Sequence, residues 1–466
     1  MHAARQRGAA GPLWLGTLAG GCVGIGILSG VDPQYGIFGA LGLMFAAVTV
    51  QDVTLGLVLF TIASFLDLTS SSGSFPGTKV IGLVLFVSWL ARSGVRRGRE
   101  LGEFITENSA LVVSLVALLA WAALSATWAA SASGALAGAQ RYALNMTLVP
   151  IAFSAVRRRE HAVWILAAFV VGAVFSGAYG FIHPTAASAY DAGRLTGTIG
   201  DANGEATVLA AAIPLLLSLL GRIGDSVRLK LVVFVGVLIL FASLVDTLSR
   251  AGLLSLAAVL AGGVVFGGRW RRRAAVLLLI GVTATVGYYY VLAPASSLQR
   301  VTMSDTSGRS SLWTVATRVI AAHPVLGVGN DNFIVVEKNY INRPGALLAF
   351  YIVKSPKIAH NTFLEAAADL GIPGLLMLLA VLAYAIRAAV RAAWIFGDLG
   401  DEEMELMSRA VVLSIAAVLT SDLFVASPYA KYLWLPLAMG PAMQHLARRA
   451  QARAGDQPHG DEGLPG

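Results

Sequence analysis

The sequence predicts an all-α, polytopic membrane protein with 12 to 14 transmembrane helices and one large, partly helical outer loop. Three observations carry this expectation. Of 466 residues, 56% are apolar and 13% are charged, where a soluble domain carries about 25% charged residues. Mean hydropathy is +0.72, which is more apolar surface than a core can hide, so lipid must solvate much of it. Apolar runs recur along the whole chain and are interrupted for a long stretch only after Pro294.

Taken in order, candidate spans lie near 13–31, 35–50, 53–66, 78–91, 107–128, 142–156, 161–182 and 205–221. Six more lie near 228–245, 251–267, 274–293, 371–395, 409–426 and 429–447. Several are shorter than the roughly 20 residues a straight helix needs, which is why the count spans a range. The corresponding domains are 1–293 (transmembrane helices with short loops), 294–370 (the outer loop), 371–447 (C-terminal spans) and 448–466 (a polar, disordered cytoplasmic tail).

Charge orients the spans. The formal net charge of +8 would suggest a polyanion partner in a soluble protein, but in a membrane protein the placement of each Lys and Arg matters more, because cytoplasmic loops retain them. Arg5 and Arg7, the clusters Arg92/Arg96/Arg97/Arg99, Arg157–Arg159, Arg222/Arg228/Lys230 and Arg269/Arg271–Arg273, then Arg387/Arg391/Arg409 and Arg448/Arg449/Arg453, alternate with the spans so as to fall on one side. Both termini are therefore expected in the cytoplasm, in the inner membrane, with the loop on the outer face and no nucleic-acid partner. The first run reads as a retained signal anchor, and a cleaved signal peptide is the alternative. The single Cys22 lies in an apolar run, so neither a disulfide framework nor a thiolate metal site is expected.

Within the outer loop, Leu312, Val315, Ala316, Val319 and Ile320 fall on one helical face, and His323-Pro324 ends that helix. Leu326-Gly327-Val328-Gly329-Asn330-Asp331-Asn332 reads as a turn. Further on, Thr362-x-x-Glu365 fits a capping box, and Gly371 with Pro373 fits a helix stop. His360 then sits just before a helix N-terminus, where the dipole disfavours an imidazolium and favours a bound anion. A helix-start histidine bonded to a loop carbonyl is the plainer alternative.

Three outer arginines stand in apolar surroundings. Arg250 lies in the turn Asp246-Thr247-Leu248-Ser249-Arg250 between two spans, where a charge needs an anion or water; a local pair with Asp246 is the competing reading. Arg194 stands in a Gly-rich loop whose amides can converge on an anion, or is a solvated arginine near Asp191 or Asp201. Arg309 opens the loop helix, where it caps a phosphate or faces water. Arg141 and Lys431 read as interfacial anchors. The seven histidines have no zinc-like spacing, and neither Asp-x-Asp nor a Walker A sequence occurs. No metal and no cofactor are expected.

Ser249-Arg250-Ala251-Gly252, Gly308-Arg309-x-x-x-Trp313, His323-Pro324-x-x-Gly327-x-Gly329-x-x-x-Phe333, His360-Asn361-x-x-Leu364-Glu365 and Gly371-Ile372-Pro373-Gly374 occur in that order. This arrangement, over roughly 190–385, resembles the O-antigen ligase and O-antigen polymerase superfamily. The resemblance implies a membrane glycosyltransferase of the C type with 12 spans usual. It further implies metal-independent, inverting transfer of a glycan from an undecaprenyl-diphosphate-linked donor to a hydroxyl acceptor, either lipid A core sugar or another glycan. It matches His360 to the family histidine, Arg250 and Arg309 to the family's outer arginines, and Arg194 to a further recurring pattern. Chemically, His360 would activate the acceptor, the three arginines would hold the diphosphate, and Asp246, Asn361 or Glu365 would support them. A lipid-linked glycan flippase is the alternative of a different class; it predicts ionisable residues deep in the spans and an internal repeat.

Overall fold

The structure, a computed structural model, describes residues 23–27, 29–30, 33–65, 77–95, 98–184, 193–302, 308–341 and 356–455. Among these residues every regular element is a helix and there is no strand, as expected of an all-α chain. The first helices are α1 (Pro33–Gln51), α2 (Val53–Ala63), α3 (Gly77–Val95), α4 (Arg99–Glu107), α5 (Ser109–Leu124), α6 (Ala132–Met146), α7 (Leu148–Ala155) and α8 (Arg159–Ile182). Next come α9 (Ala202–Ser218), α10 (Val227–Asp246), α11 (Arg250–Phe266) and α12 (Arg271–Gly287). The loop region contributes α13 (Ala295–Thr302), α14 (Arg309–Ala322) and α15 (Phe333–Val336), and the chain closes with α16 (Thr362–Asp398), α17 (Glu402–Asp422) and α18 (Lys431–Gly455).

Short polar side chains set the helix starts. Asp52, Asp201, Ser249, Asn361 and Asp401 each accept hydrogen bonds from amides of the first turn of α2, α9, α11, α16 and α17, filling donors that the helix leaves unpaired. Among the described residues seven helical stretches are long and apolar enough to cross a membrane: Ser109–Thr127, Arg159–Ile182, Ala202–Arg222, Val227–Asp246, Gly268–Leu292, Thr362–Asp398 and Glu402–Asp422. Four shorter apolar helices accompany them. Most of the run expected at 13–31, with Cys22, lies outside the described residues.

Small residues in the interior let helices meet closely. Ala385, Ala389 and Ala392 of α16 are buried against its neighbours, and a Cβ on Gly440 of α18 would lie 2.3 Å from the Ala385 carbonyl oxygen. Backbones approach this closely where dispersion and fit, rather than a hydrophobic drive, hold helices together in lipid. Outward faces are apolar instead: Val113, Val171 and Val265 are exposed, and α12 buries no side chain.

Three expectations are corrected. The run 142–156 is not one span, because α6 and α7 break at Thr147; Pro150 lacks an N–H and its ring clashes with the carbonyl four residues back, at Met146. The helix that Gly371 was expected to stop instead continues through it. Gly371 adopts φ +70°, ψ −179°, kinking α16 without ending it, and Pro373 is accommodated in the first turn beyond the kink. The tail expected from 448 is helical through Gly455, with Arg448 paired to Glu107 at 3.6 Å.

One end of the bundle is rich in arginine. There Arg157 pairs with Glu103 (3.0 Å), Arg159 with Asp401 (2.7 Å), Arg222 with Glu403 (2.9 Å) and Arg269 with Glu405 (2.9 Å). Helices α9, α11 and α17 run from this end to the other, where the candidate site residues lie.

Candidate functional site

The loop segment folds into a small lobe on the end of α16. The face expected for α14 is the one that is buried: Leu312, Val315, Ala316 and Val319 pack with Phe333 and Ala368, and Ile320 is half-buried against them. The turn 326–332 docks into the kink of α16. With Gly371 in a left-handed conformation, the carbonyls just before it have lost helical partners, and they accept instead from the turn: Val328 N–H donates to Ala368 O (3.0 Å) and Gly329 N–H to Asp369 O (2.8 Å). Ile372 N–H donates to Pro324 O (2.8 Å) in return. The fit excludes side chains, since a Cβ on Gly327 would lie 2.3 Å from Asp369 O.

Asp369 completes the joint. Its carboxylate accepts from three consecutive amides, those of Asp331 (2.8 Å), Asn332 (3.1 Å) and Phe333 (2.7 Å), a nest of donors matched by a charged acceptor. Asn330 ties the turn to Ser125 and Tyr429, and Asn332 ties it to Ser131. Arg141, expected as an interfacial anchor, instead pairs with Asp331 and lies over the Tyr429 ring. Asp369 was not singled out from the sequence, although an acid inside an apolar helical run is a signal that could have found it.

His360 is held from both sides. Before it, Ala359 N–H donates to Glu365 Oε2 (2.8 Å) and Lys357 N–H to Glu337 Oε1 (2.7 Å). After it, Asn361 caps α16 through Oδ1 and donates Nδ2 to Leu423 O (3.0 Å), while Thr362 Oγ1 donates to Val425 O (3.1 Å). The capping box expected at Thr362 is therefore shifted: Asn361 is the cap, and Glu365 reaches back to the Ala359 amide. His360 itself takes φ +50°, a left-handed conformation that costs a non-glycine residue about a kilocalorie or more and persists where surroundings over-determine it.

The imidazole is half-buried, and among the described residues no hydrogen bond is made by its ring. Burial, then the charges of Arg309 and Lys357, push its pKa down to about 4, so at neutral pH it is a neutral proton acceptor. The charge of Arg309, the first residue of α14, is thus one that His360 senses. Burial also raises Glu337 to about 7, against the opposing pull of the Lys357 amide and charge. Glu337 and Lys357 were not recognised in the sequence, because their partnership with His360 exists only across the folded lobe.

Arg250 and Arg194 belong to an adjoining group. The α11 start is fixed by Ser249, whose hydroxyl caps Gly252 N–H and donates to Asn203 Oδ1 (2.9 Å). The same Asn203 oxygen accepts from Arg194 Nη2 (3.1 Å), and Arg194 Nε donates to Thr247 O (2.8 Å). Arg194 is only 6% exposed, so its guanidinium fastens the 246–250 turn to α9 and is not presented like a ligand-facing arginine. Asp246 accepts from the Tyr288 hydroxyl (3.2 Å), a partner just past the end of α12 rather than in its own turn. Since α11 lies antiparallel to α17, with Ser255 bonded to Ala417 O (2.8 Å), Arg250 comes level with the α17 end that holds Asn361.

A cavity of about 220 Å³ opens at this end between Thr198 and Ile199 on one wall and Tyr429, Lys431 and Tyr432 on another. Among the described residues no group of three His, Cys, Asp or Glu side chains is arranged to hold a metal ion.

Residues 235–379 match the family model described as O-antigen ligase. That stretch of the chain is similar to O-antigen ligase. The matched stretch runs from α10 into α16, so it includes Asp246, Arg250, Arg309, His360, Asn361, Glu365 and Asp369, and leaves Arg194 outside. A search of the curated proteins found no match. The matched stretch thus takes in the lobe, the kink of α16 and the arginine turn. It does not favour the flippase alternative.

Proposed function

We propose that the protein is a membrane glycosyltransferase that moves a glycan from an undecaprenyl-diphosphate-linked donor to a hydroxyl acceptor on the outer face of the cytoplasmic membrane. The acceptor is lipid A core sugar or another lipid-linked glycan, the reactions of a ligase and of a polymerase respectively. The observation that carries this reading is His360, neutral, half-buried, held in a strained conformation and sensing the Arg309 charge, within the O-antigen ligase match.

The acceptor hydroxyl gives its proton to an imidazole nitrogen of His360 as its oxygen bonds to the anomeric carbon. The bond from that carbon to the diphosphate oxygen breaks, and its electron pair leaves with the diphosphate. Attack opposite the leaving group inverts the anomeric centre. Arg309 and Arg250 take up the charge that gathers on the leaving group, which removes the need for a general acid. Arg194 acts behind Arg250 by holding its turn, in place of the direct diphosphate contact expected from sequence. Glu365 and Asn361 fix the backbone of His360, and Asp246 anchors the Arg250 turn to Tyr288, just past the end of α12. The resemblance implies that no metal takes part.

Membranes containing the protein, supplied with labelled lipid-linked donor and acceptor, should form a new glycosidic product that His360→Ala loses at matched expression. Product formation unaffected by His360→Ala would refute the base assignment, and lipid-linked glycan crossing the membrane with no product would favour a carrier. Deleting the gene and comparing glycan chain length with glycan attachment tells polymerisation from ligation. The 12 to 14 spans and cytoplasmic termini are part of the same proposal, supported by the grouping of arginines away from the lobe.

A further inference from the structure

The arginine-rich end holds a second cavity, of about 620 Å³, between the α7–α8 turn and the last turns of α18. Five arginines line it, Arg157, Arg158, Arg159, Arg449 and Arg453, with Glu160 as the acidic member of the lining. Orientation by positive charge accounts for arginines at this end of the bundle, but not for five converging on one concavity.

The neighbouring basic groups show what a neutralised arrangement looks like here. Arg222, Arg269 and Arg409 each meet a glutamate at the start of α17, at 2.9, 2.9 and 2.8 Å. In the cavity Arg157 and Arg159 form close ion pairs, with Glu103 and Asp401, Arg449 feels the Glu103 charge from further off, and no close ion pair is formed by Arg158, Arg449 or Arg453 among the described residues. Arg157 spends Nε on Ser154 O (3.0 Å) and Nη1 on Glu103 and His445, while its Nη2 is buried without a partner. A buried guanidinium donor left unpaired is costly. The 24-residue α8 also begins here, at Arg158, with no side chain capping its first amides, so the positive end of its dipole adds to the same field. Phe396 and Leu446 supply an apolar wall beside the charges.

We propose that this cavity is a binding site for a phosphate-bearing anion, distinct from the glycosyl-transfer site and at the opposite end of the bundle. The arginines and the α8 start take the phosphate oxygens, as bidentate guanidinium groups and helix N-termini do, and the apolar wall accommodates the glycerol and first methylenes of a lipid. Such an anion would bridge α8 to α18 and fix the C-terminal helix, which otherwise ends among like charges. A phospholipid headgroup and free inorganic phosphate share this chemistry.

The full-length protein in nanodiscs separates the two sources. Thermal unfolding and native mass spectrometry are compared in phosphatidylcholine alone, in phosphatidylcholine with phosphatidylglycerol, and in phosphatidylcholine with added inorganic phosphate. Phosphatidylglycerol should be retained and should raise the unfolding temperature, and Arg158→Ala combined with Arg453→Ala should weaken that retention by about tenfold or more. Arg222→Ala, at the same end but already paired, should retain it like the parent. A shift produced by inorganic phosphate alone would assign the site to the free anion. No retention and no shift with either probe in the parent protein would overturn the proposal, as would equal retention by the double variant and Arg222→Ala; the parent result stands even if the double variant fails to fold.

Discussion

At the scale of single residues, the proposed reaction depends on a histidine kept uncharged and on arginines placed for different tasks. With the pKa of His360 pushed down to about 4 by burial and the nearby cations, the neutral form is the base, and it is lost only as pH falls through that value. The kcat/KM profile should therefore stay flat from neutrality to well below pH 6, with its acid limb near 4 rather than at the ordinary 6.5. His360→Ala should lower kcat by about 100- to 10,000-fold, the range for loss of a general base, with expression and unfolding temperature close to the parent's. Arg309→Lys keeps the charge but loses the planar fork, so transfer should fall by about tenfold or more. Arg222→Lys, at the far end, should leave transfer unchanged. Radiolabelled glycan transfer in membranes checks all three.

At the scale of elements, the kink in α16 and the turn that enters it are one device. Gly371 holds a left-handed conformation, and a Cβ there would lie 2.2 Å from Val325 O. Gly371→Ala should destabilise the protein by about 1–2 kcal/mol or more, read as a lower unfolding temperature in detergent together with lost transfer. The segment before His360 has its own control in Glu337. Its folded pKa, about 7, lies above the ordinary 4.5, so the stability it contributes is fully present below 4.5 and is lost as pH rises through 7. Hydrogen exchange at Lys357 and Ala359 should accelerate in the parent as pH rises from about 4.5 to about 7 and level off above that, after correction for intrinsic rates, and Glu337→Gln should abolish that dependence. Much of this level was legible in sequence. The buried face of α14 follows from apolar spacing, and the need for glycine at 327, 329 and 371 follows from turn chemistry. That the turn fills the kink was not legible, since the carbonyls freed at 368 and 369 become visible only once Gly371 is seen to bend the helix rather than end it.

At the scale of the whole molecule, the proposed orientation puts the lobe outside and the arginine-rich end inside. In a Cys22→Ser background, a membrane-impermeant thiol reagent applied to intact cells should label Ser310→Cys, an exposed lobe position, and should spare Asp398→Cys until the membrane is opened. The reverse pattern would invert the topology and move glycosyl transfer to the cytoplasmic face. Bundle packing also accounts for the two lengths of apolar helix. Full-length helices such as α8 and α10 present apolar surface to lipid, whereas α7, shortened at Pro150, is buried along nearly its whole length.

By itself the sequence determined the class of solvent, the helical content, the approximate starts of most apolar helices and the candidate His360, Arg250 and Arg309. These follow from composition, periodicity and local capping, which act over a few residues along the chain. Only the tertiary structure decided which arginine is buried as a fastener, that Asp369 and Glu337 brace the lobe, and that five arginines share one cavity. Each of those depends on groups far apart in sequence meeting across a folded interior. Desolvation and unmet hydrogen-bonding capacity, which set their chemistry, have no value until that interior has formed.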